Sequence, residues 1–128
     1  YGGYFAGFAR EGAEVMALIS NDGWWGNTPG HKRLFDFCRL RAIETRRSIA
    51  RSANTGISGF ISPKGDVIGE RLEWDEEGVL TEEVELRSDK TIYTLYGDWI
   101  ARIATYIAVL SVMYYVAYRI RKRNHLVE

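Results

Sequence analysis

Residues 15–30 read VMALISNDGWWGNTPG and contain a strand, a loop and the start of a helix in immediate succession. The unbroken apolar run at residues 15–19 has the length and composition of a strand that is buried on both faces. Thr28 is a suitable N-cap for a helix whose first residue is Pro29, because the missing proline N–H is harmless at that position. The stretch therefore predicts a strand–loop–helix unit of a layered α/β protein.

Periodic patterns extend this organisation in both directions. Aromatic residues at helical spacing predict a short helix over residues 1–10, which Gly12 ends. The helix that starts at Pro29 is predicted to run to about residue 47, because its apolar residues keep helical spacing that far. Strands are predicted over three later segments, residues 48–53, 56–62 and 67–71. Alternation of apolar residues with glutamates predicts one more, half-exposed strand over residues 80–86.

The composition changes sharply at residue 99. Residues 1–98 hold 12 basic and 16 acidic side chains, whereas residues 99–128 hold five basic and one acidic. Residues 99–118, WIARIATYIAVLSVMYYVAY, carry a single charge at Arg102 and match the ~20 apolar residues that a membrane span needs. Apolar side chains surround this helix instead of forming one stripe, which favours a spanning helix over a surface or core helix.

The flanks of this segment predict its orientation. A basic cluster at residues 119–123 follows the span, and such clusters stay on the cytoplasmic side of membranes. Aromatic residues that suit the two membrane interfaces stand at both ends: Tyr93, Tyr96 and Trp99, then Tyr114, Tyr115 and Tyr118. We therefore expect a cytoplasmic tail over residues 119–128 and an acidic body on the other side of the membrane.

Residue content argues against several kinds of site. The two histidines, His31 and His125, are far apart and Cys38 is the single cysteine, so a metal site, a histidine-based triad and an internal disulfide are not expected. Cys38 falls in the apolar stripe of the predicted second helix, where it is interpreted as a small buried hydrophobe. The glycines of GWWG and TPGH lack the spacing of phosphate-binding loops.

The basic residues of the second helix admit two interpretations. Seven basic residues between positions 32 and 51 could bind a nucleic acid or another anion. Alternatively they pair with internal acids, because Arg41, Glu44 and Arg47 are spaced three apart and residues 70–89 supply nine acids. Internal pairing is the favoured interpretation, so no nucleic-acid partner is expected.

Five motifs in a fixed order make the chain recognisable. They are SNDGWWG at residues 20–26, RLRAIE at 39–44, RSANTGIS at 51–58, a Gly-Asp turn at 65–66 and YGDW at 96–99. Followed by a membrane span, this set resembles the C-terminal part of the bacterial apolipoprotein N-acyltransferase family, whose nitrilase-like domain lies between transmembrane helices. A soluble nitrilase would share the second and third motifs but would lack the span.

The resemblance implies a fold, a location and a reaction. Residues 1–98 would be the C-terminal part of a nitrilase-like α-β-β-α sandwich on the periplasmic face of the bacterial inner membrane. The family moves a fatty acyl chain from a phospholipid acyl donor to the lipidated N-terminal cysteine of a lipoprotein acceptor. The reaction passes through a thioester on an enzyme cysteine and needs no cofactor.

The family's catalytic residues have no counterpart in this chain. The nucleophile's Cys-Tyr-Glu motif belongs just before the helix that residues 1–10 match, and the catalytic Glu and Lys lie further upstream. No such motif occurs in the 128 residues. We therefore assign no catalytic residue here and expect the chain to be inactive by itself.

The loop after the strand at residues 15–19 is the candidate substrate site. In nitrilase-like sandwiches that strand lies next to the nucleophile's strand, so the resemblance places the loop at the opening of the active site. Four residues make up this predicted substrate-pocket loop: Asn21, Asp22, Trp24 and Trp25. The tryptophans are expected to contact acyl chains, with closure of the domain's own core as the alternative. Asn21 and Asp22 are expected to hold the loop by side-chain bonds to backbone.

Two functions from other classes stay open. A membrane-tethered carbon-nitrogen hydrolase that cleaves a small amide would share the sandwich but would not need an exposed aromatic loop at the bilayer. A non-catalytic interaction module, anchored by one helix, would need none of the family's catalytic residues.

Overall fold

The computed structural model describes residues 2–124, which divide after Gly97 into a mixed α/β unit and a C-terminal helical unit. The elements follow one another as α1 (Gly2–Arg10), β1 (Val15–Ser20), α2 (Pro29–Thr45), β2 (Ser48–Ala53), β3 (Ser58–Ile61), β4 (Val67–Leu72), α3 (Ile92–Tyr96) and α4 (Trp99–Asn124). A single 3-10 turn, Gly23–Trp25, lies in the loop between β1 and α2. The predicted α/β organisation is confirmed.

The four strands form one sheet in the order β1-β2-β3-β4. β1 and β2 are parallel, with Met16 opposite Ile49, and α2 connects them. β2, β3 and β4 are antiparallel neighbours, with an irregularity between Gly59 and Phe60. The parallel pair needs a crossover helix, whereas the antiparallel strands need only short turns, so the chain lengths between strands match this topology.

Both ends of α2 follow from local chemistry. The Thr28 hydroxyl accepts a hydrogen bond from the Gly30 N–H at 3.3 Å, which confirms Thr28 as the N-cap with Pro29 as the first helical residue. At the other end Arg46 adopts a left-handed conformation with φ of 52°, and its N–H still donates to the Ala42 carbonyl. The helix therefore stops at Thr45, two residues before the predicted end.

The hydrophobic core lies between the sheet and the helices α1 and α2. It consists of Ala9, Met16, Phe35, Cys38, Ala42, Ile49, Ile57 and Ile61. Cys38 is buried in this core, as predicted from its place in the apolar stripe. The described residues thus supply one helical layer and one sheet.

The prediction that β1 is buried on both faces is wrong for the described residues. Met16 faces the core, but Val15 is exposed and Ile19 is 89% exposed on the opposite face. The apolar run signals burial without saying which part of a protein provides it. A sandwich of two sheets covers the second face of each sheet with the other sheet, and residues 2–124 hold a single sheet.

The predicted strand over residues 80–86 is also wrong, because this segment carries no strand in the structure. Its side chains alternate between half-buried and exposed over residues 80–85, but Leu86, which the pattern predicts to face inward, is 61% exposed. The segment contacts the domain through isolated bonds, such as the one that the Ser48 hydroxyl donates to the Glu85 carbonyl at 2.8 Å. Alternation of half-buried and exposed residues shows that one side of a segment faces the domain. A strand also needs a neighbouring strand with which its backbone forms hydrogen bonds.

The C-terminal unit is a single helix, α4, that is longer than the predicted span. Residues Trp99–Lys122 are long and apolar enough to cross a membrane. The basic cluster at residues 119–123 continues the same helix. The last four residues of the predicted tail, 125–128, lie outside the described residues.

We predict that residues 1–98 do not fold cooperatively when they are produced alone. The uncovered sheet face and the open edge of β1 would promote association instead of a unique fold. The measurement is thermal unfolding followed by near-ultraviolet circular dichroism, with the full-length protein in detergent as the control. A single sigmoidal transition from soluble, monomeric residues 1–98 would contradict the prediction.

Candidate functional site

Three loops meet at the carboxyl ends of the parallel strands β1 and β2. They are residues 21–28 after β1, residues 54–57 after β2 and residues 73–79 after β4. The Asn54 N–H donates to the Ser20 carbonyl at 3.2 Å, and the Asp75 N–H donates to the Thr55 carbonyl at 2.8 Å. Carboxyl ends of parallel strands are the usual position for binding sites in α/β proteins. The predicted substrate-pocket loop therefore lies at this edge.

A buried ion pair connects the loop after β1 to strand β2. The Arg51 guanidinium donates to Asp22 Oδ2 at 2.7 Å, and the two side chains are 1% and 0% exposed. Asp22 Oδ1 accepts a second bond from the Ser20 hydroxyl at 2.5 Å, and Arg51 also donates to the Ile57 carbonyl. A buried carboxylate needs such partners because its desolvation is otherwise strongly unfavourable. Asp22 is therefore a structural residue of the loop, inaccessible to a ligand.

Gly56 makes room for this ion pair. A Cβ built at Gly56 would lie 2.0 Å from Asp22 Oδ2 and 2.7 Å from Asp22 Cβ, far inside contact distance. Both positions are fully or almost fully buried, so the Asp22 side chain has no free space into which it could move. Glycine is therefore required at this position of the RSANTGIS motif, because the Asp22 side chain lies where the Cβ of any other residue would be.

Asn54 fixes the start of the tryptophan loop. Its Oδ1 accepts bonds from the backbone N–H groups of Asp22 and Thr55, both at 2.9 Å, and its Nδ2 donates to Asn21 Oδ1 at 2.9 Å. The expectation that Asn21 and Asp22 bond the backbone is thus corrected, since the bonds found for their side chains go to other side chains. Asn54 makes the side-chain-to-backbone bonds instead.

The two tryptophans of the loop project from the domain. Within the described residues Trp24 is 87% exposed and Trp25 is 52% exposed, so neither ring belongs to the core of this unit. Contacts with neighbouring residues hold the Trp25 side chain in place. Its ring lies against Gly30, where a Cβ would approach Trp25 Cε3 to 2.7 Å, and its carbonyl accepts a bond from the Thr28 hydroxyl at 2.7 Å.

A second aromatic contact holds the loop after β4 against the start of α2. The His31 ring is buried, and its centre lies 4.7 Å from that of the Trp74 ring, with the two ring planes tilted by 44°. Neither ring nitrogen of His31 has a hydrogen-bond partner among the described residues. Within residues 2–124 no cluster of three His, Cys, Asp or Glu side chains could hold a metal ion.

Cys38 lies close to the ion pair but is a poor candidate for a nucleophile. Burial raises the pKa of its thiol, and this effect outweighs the nearby Arg51 guanidinium, which acts in the opposite direction. Its Sγ is 3.3 Å from the Leu34 carbonyl oxygen of the same helix, within hydrogen-bond range. A buried, protonated thiol is inert, so Cys38 acts as a small hydrophobic residue of the core.

The basic residues of α2 and β2 mostly find internal partners. Arg41 pairs with Glu44 at 2.8 Å, and Arg39 pairs with Asp36 at 3.4 Å. Arg47 departs from the expected Glu44 pair: it is buried and donates to backbone carbonyl groups, including those of Ala13 and Asp89. These partners favour the structural interpretation of the basic residues over nucleic-acid binding.

Sequence reasoning found the tryptophan loop but not the residues that hold it. Arg51, Asn54 and Gly56 all lie in the RSANTGIS motif, which the sequence marked only as part of a resemblance. The available signal was a polar motif at the end of a buried strand. Its first residue, Arg51, lies 29 residues after Asp22 in the sequence. Nothing in a single sequence says which acid it contacts.

A comparison with known protein families defines the class of protein to which this chain belongs. The carbon-nitrogen hydrolase family matches residues 4–91, which is more than half of the chain, and the chain belongs to that family. The expected nitrilase-like fold is thereby confirmed for the matched residues.

Individual relatives narrow the class further. The apolipoprotein N-acyltransferase of Chlorobaculum tepidum is 38% identical over 121 residues, which are 94% of this chain and 22% of the relative. The enzymes of the same name from Thermotoga maritima and Caulobacter vibrioides are 31% and 32% identical over 82% and 94% of this chain, and 21% and 22% of their own lengths are covered. The chain thus spans about a fifth of the length of these relatives. The resemblance read from the five motifs is confirmed.

We predict that Asp22→Ala destabilises the full-length protein by about 3–5 kcal/mol, because it leaves the Arg51 guanidinium buried and unpaired. The matched control is Glu73→Ala, which removes an exposed ion pair with Arg71 of similar length, 2.6 Å, and should cost at most about 1 kcal/mol. Chemical denaturation in detergent measures both. Equal effects of the two substitutions would show that the Asp22–Arg51 pair is not a determinant of stability.

Proposed function

We propose that the chain is part of an apolipoprotein N-acyltransferase, which transfers a fatty acyl chain from a phospholipid to the lipidated N-terminal cysteine of a lipoprotein. The observation that carries the proposal is the exposed Trp24–Trp25 pair on a loop fixed by buried polar contacts. The similarity to proteins of that name over most of the chain supports it. An exposed aromatic pair at a binding edge suits a substrate made of acyl chains.

The proposed chemistry has two steps, and its catalytic residues are expected in the part of the enzyme that this chain does not contain. A cysteine thiolate attacks the ester carbonyl of the phospholipid, which forms a thioester and releases a lysophospholipid. The α-amino group of the lipoprotein then attacks the thioester, forms an amide and releases the thiolate. A glutamate acts as the base and a lysine stabilises the oxyanion. No diffusible cofactor is required.

The residues of this chain would contribute position and apolar surface. Asp22, Arg51 and Asn54 keep the loop at the carboxyl edge of the sheet, where it adjoins the neighbouring strand that would carry the nucleophile. The two tryptophans then offer a rigid apolar surface to an acyl chain. A loop that is already ordered loses little entropy when the substrate binds.

We also propose a topology for the chain. The helix α4 spans the inner membrane, with its basic C-terminal end in the cytoplasm and the α/β unit in the periplasm. The length and apolar character of α4 and the basic cluster at residues 119–123 support this topology.

The amide hydrolase is the second candidate, because the family match is to carbon-nitrogen hydrolases in general. A small amide would leave Trp24 without a role. The non-catalytic module has less support, because the relatives that cover most of the chain bear the names of enzymes.

The tryptophans give the test of function. We predict that Trp24→Ala in the full-length enzyme lowers acyl transfer from a labelled phospholipid to a lipidated peptide by at least about tenfold, without a change in melting temperature. A contact area of roughly 150–250 Å² per aromatic ring is worth several kcal/mol at ~25 cal/mol per Å². Each ~1.4 kcal/mol corresponds to a factor of ten.

Two comparisons make this test specific. Trp25→Ala should lower transfer and also the melting temperature slightly, since the ring packs on Gly30. Phe37→Ala removes an exposed ring from α2 and should change neither quantity. Full transfer activity with both tryptophan variants would defeat the proposed lipid contact, and normal cleavage of a small amide without acyl transfer would favour the hydrolase.

The topology has its own test. A green fluorescent protein fused after Glu128 should fluoresce, because it folds in the cytoplasm, whereas alkaline phosphatase at the same position should be inactive. The basic cluster holds that end inside. Phosphatase activity of the fusion would overturn both the orientation and the assigned compartment.

A further inference from the structure

The short helix α3 has an apolar face that the α/β unit does not cover. Ile92, Leu95 and Tyr96 are all exposed, Ile92 by 65% and Tyr96 by 64%. Their spacing places them on one side of the helix. Thr94 is fully buried, so the opposite side of the helix faces the domain. The exposed face contains no charged side chain.

Several hydrogen bonds hold α3 on the domain. The Arg10 guanidinium donates two bonds to the Thr94 carbonyl, from Nε at 3.0 Å and from Nη2 at 2.9 Å. The Thr91 hydroxyl donates to the Glu44 carbonyl at 2.6 Å. α3 is thus joined to α1 through Arg10 and to α2 through Thr91, and we call these bonds the α3 clamp.

Tyr93 also belongs to this attachment. Its hydroxyl lies against Gly2, where a Cβ would approach it to 2.2 Å, and the residue is half-buried. The sequence placed Tyr93 with Tyr96 in an aromatic belt. The side chain instead packs on the domain, so Tyr96 is the tyrosine of α3 that is available to a membrane interface.

Chain length places α3 close to the beginning of α4. Only Gly97 and Asp98 separate the two helices. The three Cα steps from Tyr96 to Trp99 cover at most about 11 Å even when fully extended. If α4 spans the membrane, as proposed above, the C-terminal residue of α3, Tyr96, must lie within that distance of the apolar segment. Amphipathic helices bury their apolar faces about 5–10 Å into the headgroup region, so the end of α3 is within reach of that region.

We propose that α3 is a membrane-docking helix whose Ile92, Leu95 and Tyr96 side chains insert into the headgroup layer of a phospholipid bilayer. The α3 clamp connects this attachment to α1 and α2, so that the docked helix ties the α/β unit to the lipid surface. This inference rests on the proposed membrane span. The two-residue link between α3 and α4 and the uncharged exposed face of α3 favour lipid as the partner over a second protein.

Site-directed spin labelling of the full-length protein in phospholipid nanodiscs tests the docking. A nitroxide is attached to Leu95→Cys, and its accessibility to oxygen is compared with its accessibility to a water-soluble nickel chelate. The matched control is Lys64→Cys in the exposed turn after β3, and Ile107→Cys in α4 reports the span. The unsubstituted protein, labelled in parallel, supplies the background from native cysteines.

The three labels separate the possible outcomes. If α3 docks, oxygen accessibility exceeds nickel accessibility at Leu95 and at Ile107, and the ratio is inverted at Lys64. A Leu95 label that behaves like Lys64 while Ile107 remains in lipid would overturn the docking and leave the span intact. A water-exposed Ile107 label would overturn the span itself, and the docking with it.

The α3 clamp has a separate test with the same label at Leu95. Arg10→Ala should increase the mobility of the nitroxide and reduce its oxygen-to-nickel accessibility ratio, because both bonds to the Thr94 carbonyl are lost. Lys90→Ala removes a single exposed bond to the Arg10 carbonyl and should leave the spectrum unchanged. An unchanged spectrum with Arg10→Ala would show that the clamp does not position the helix.

Discussion

The buried contact between Asp22 and Arg51 is the constraint on which the candidate site depends. It joins the loop after β1 to the strand β2, and both side chains are out of reach of water. A buried charge pair contributes little net stability over an apolar pair of the same size, but the loss of one partner is strongly unfavourable. The main effect of the ion pair is therefore to fix the position of the loop after β1 relative to β2, rather than to add net stability. Gly56 leaves space for the carboxylate, and Asn54 bonds the backbone at Asp22.

The exposed tryptophans follow from this constraint. A free loop would allow two large apolar side chains to collapse onto the nearest apolar surface, and the uncovered face of the sheet offers such a surface at Ile19. The loop is instead attached at both ends, by Asp22 before the 3-10 turn and by the Thr28 cap after it. Exposed apolar surface of this kind marks an interaction surface, for a ligand, a membrane or another part of the protein.

Features with local causes could be predicted from the sequence, and features with distant causes could not. The N-cap at Thr28, the strand after α1 and the burial of Cys38 each depend on neighbouring residues, and all three are confirmed. The apolar run of β1 and the alternation at residues 80–86 reported burial correctly in part, but a sequence pattern does not say what provides the cover. The same limit applied to Asp22, whose partner lies 29 residues away.

Two apolar surfaces of this chain, on β1 and on α4, are uncovered. The pattern of exposed residues on each indicates a different kind of cover. On β1 the exposed Val15 and Ile19 flank the buried Met16, so that strand needs a flat protein layer against its second face. On α4 the exposed apolar residues lie on all sides of the helix, and no single protein face could cover them. Lipid surrounds a helix completely, whereas a neighbouring sheet covers only one side. The pattern on β1 therefore fits a second protein layer, and the pattern on α4 fits the membrane span proposed above, with α3 between the two in the chain.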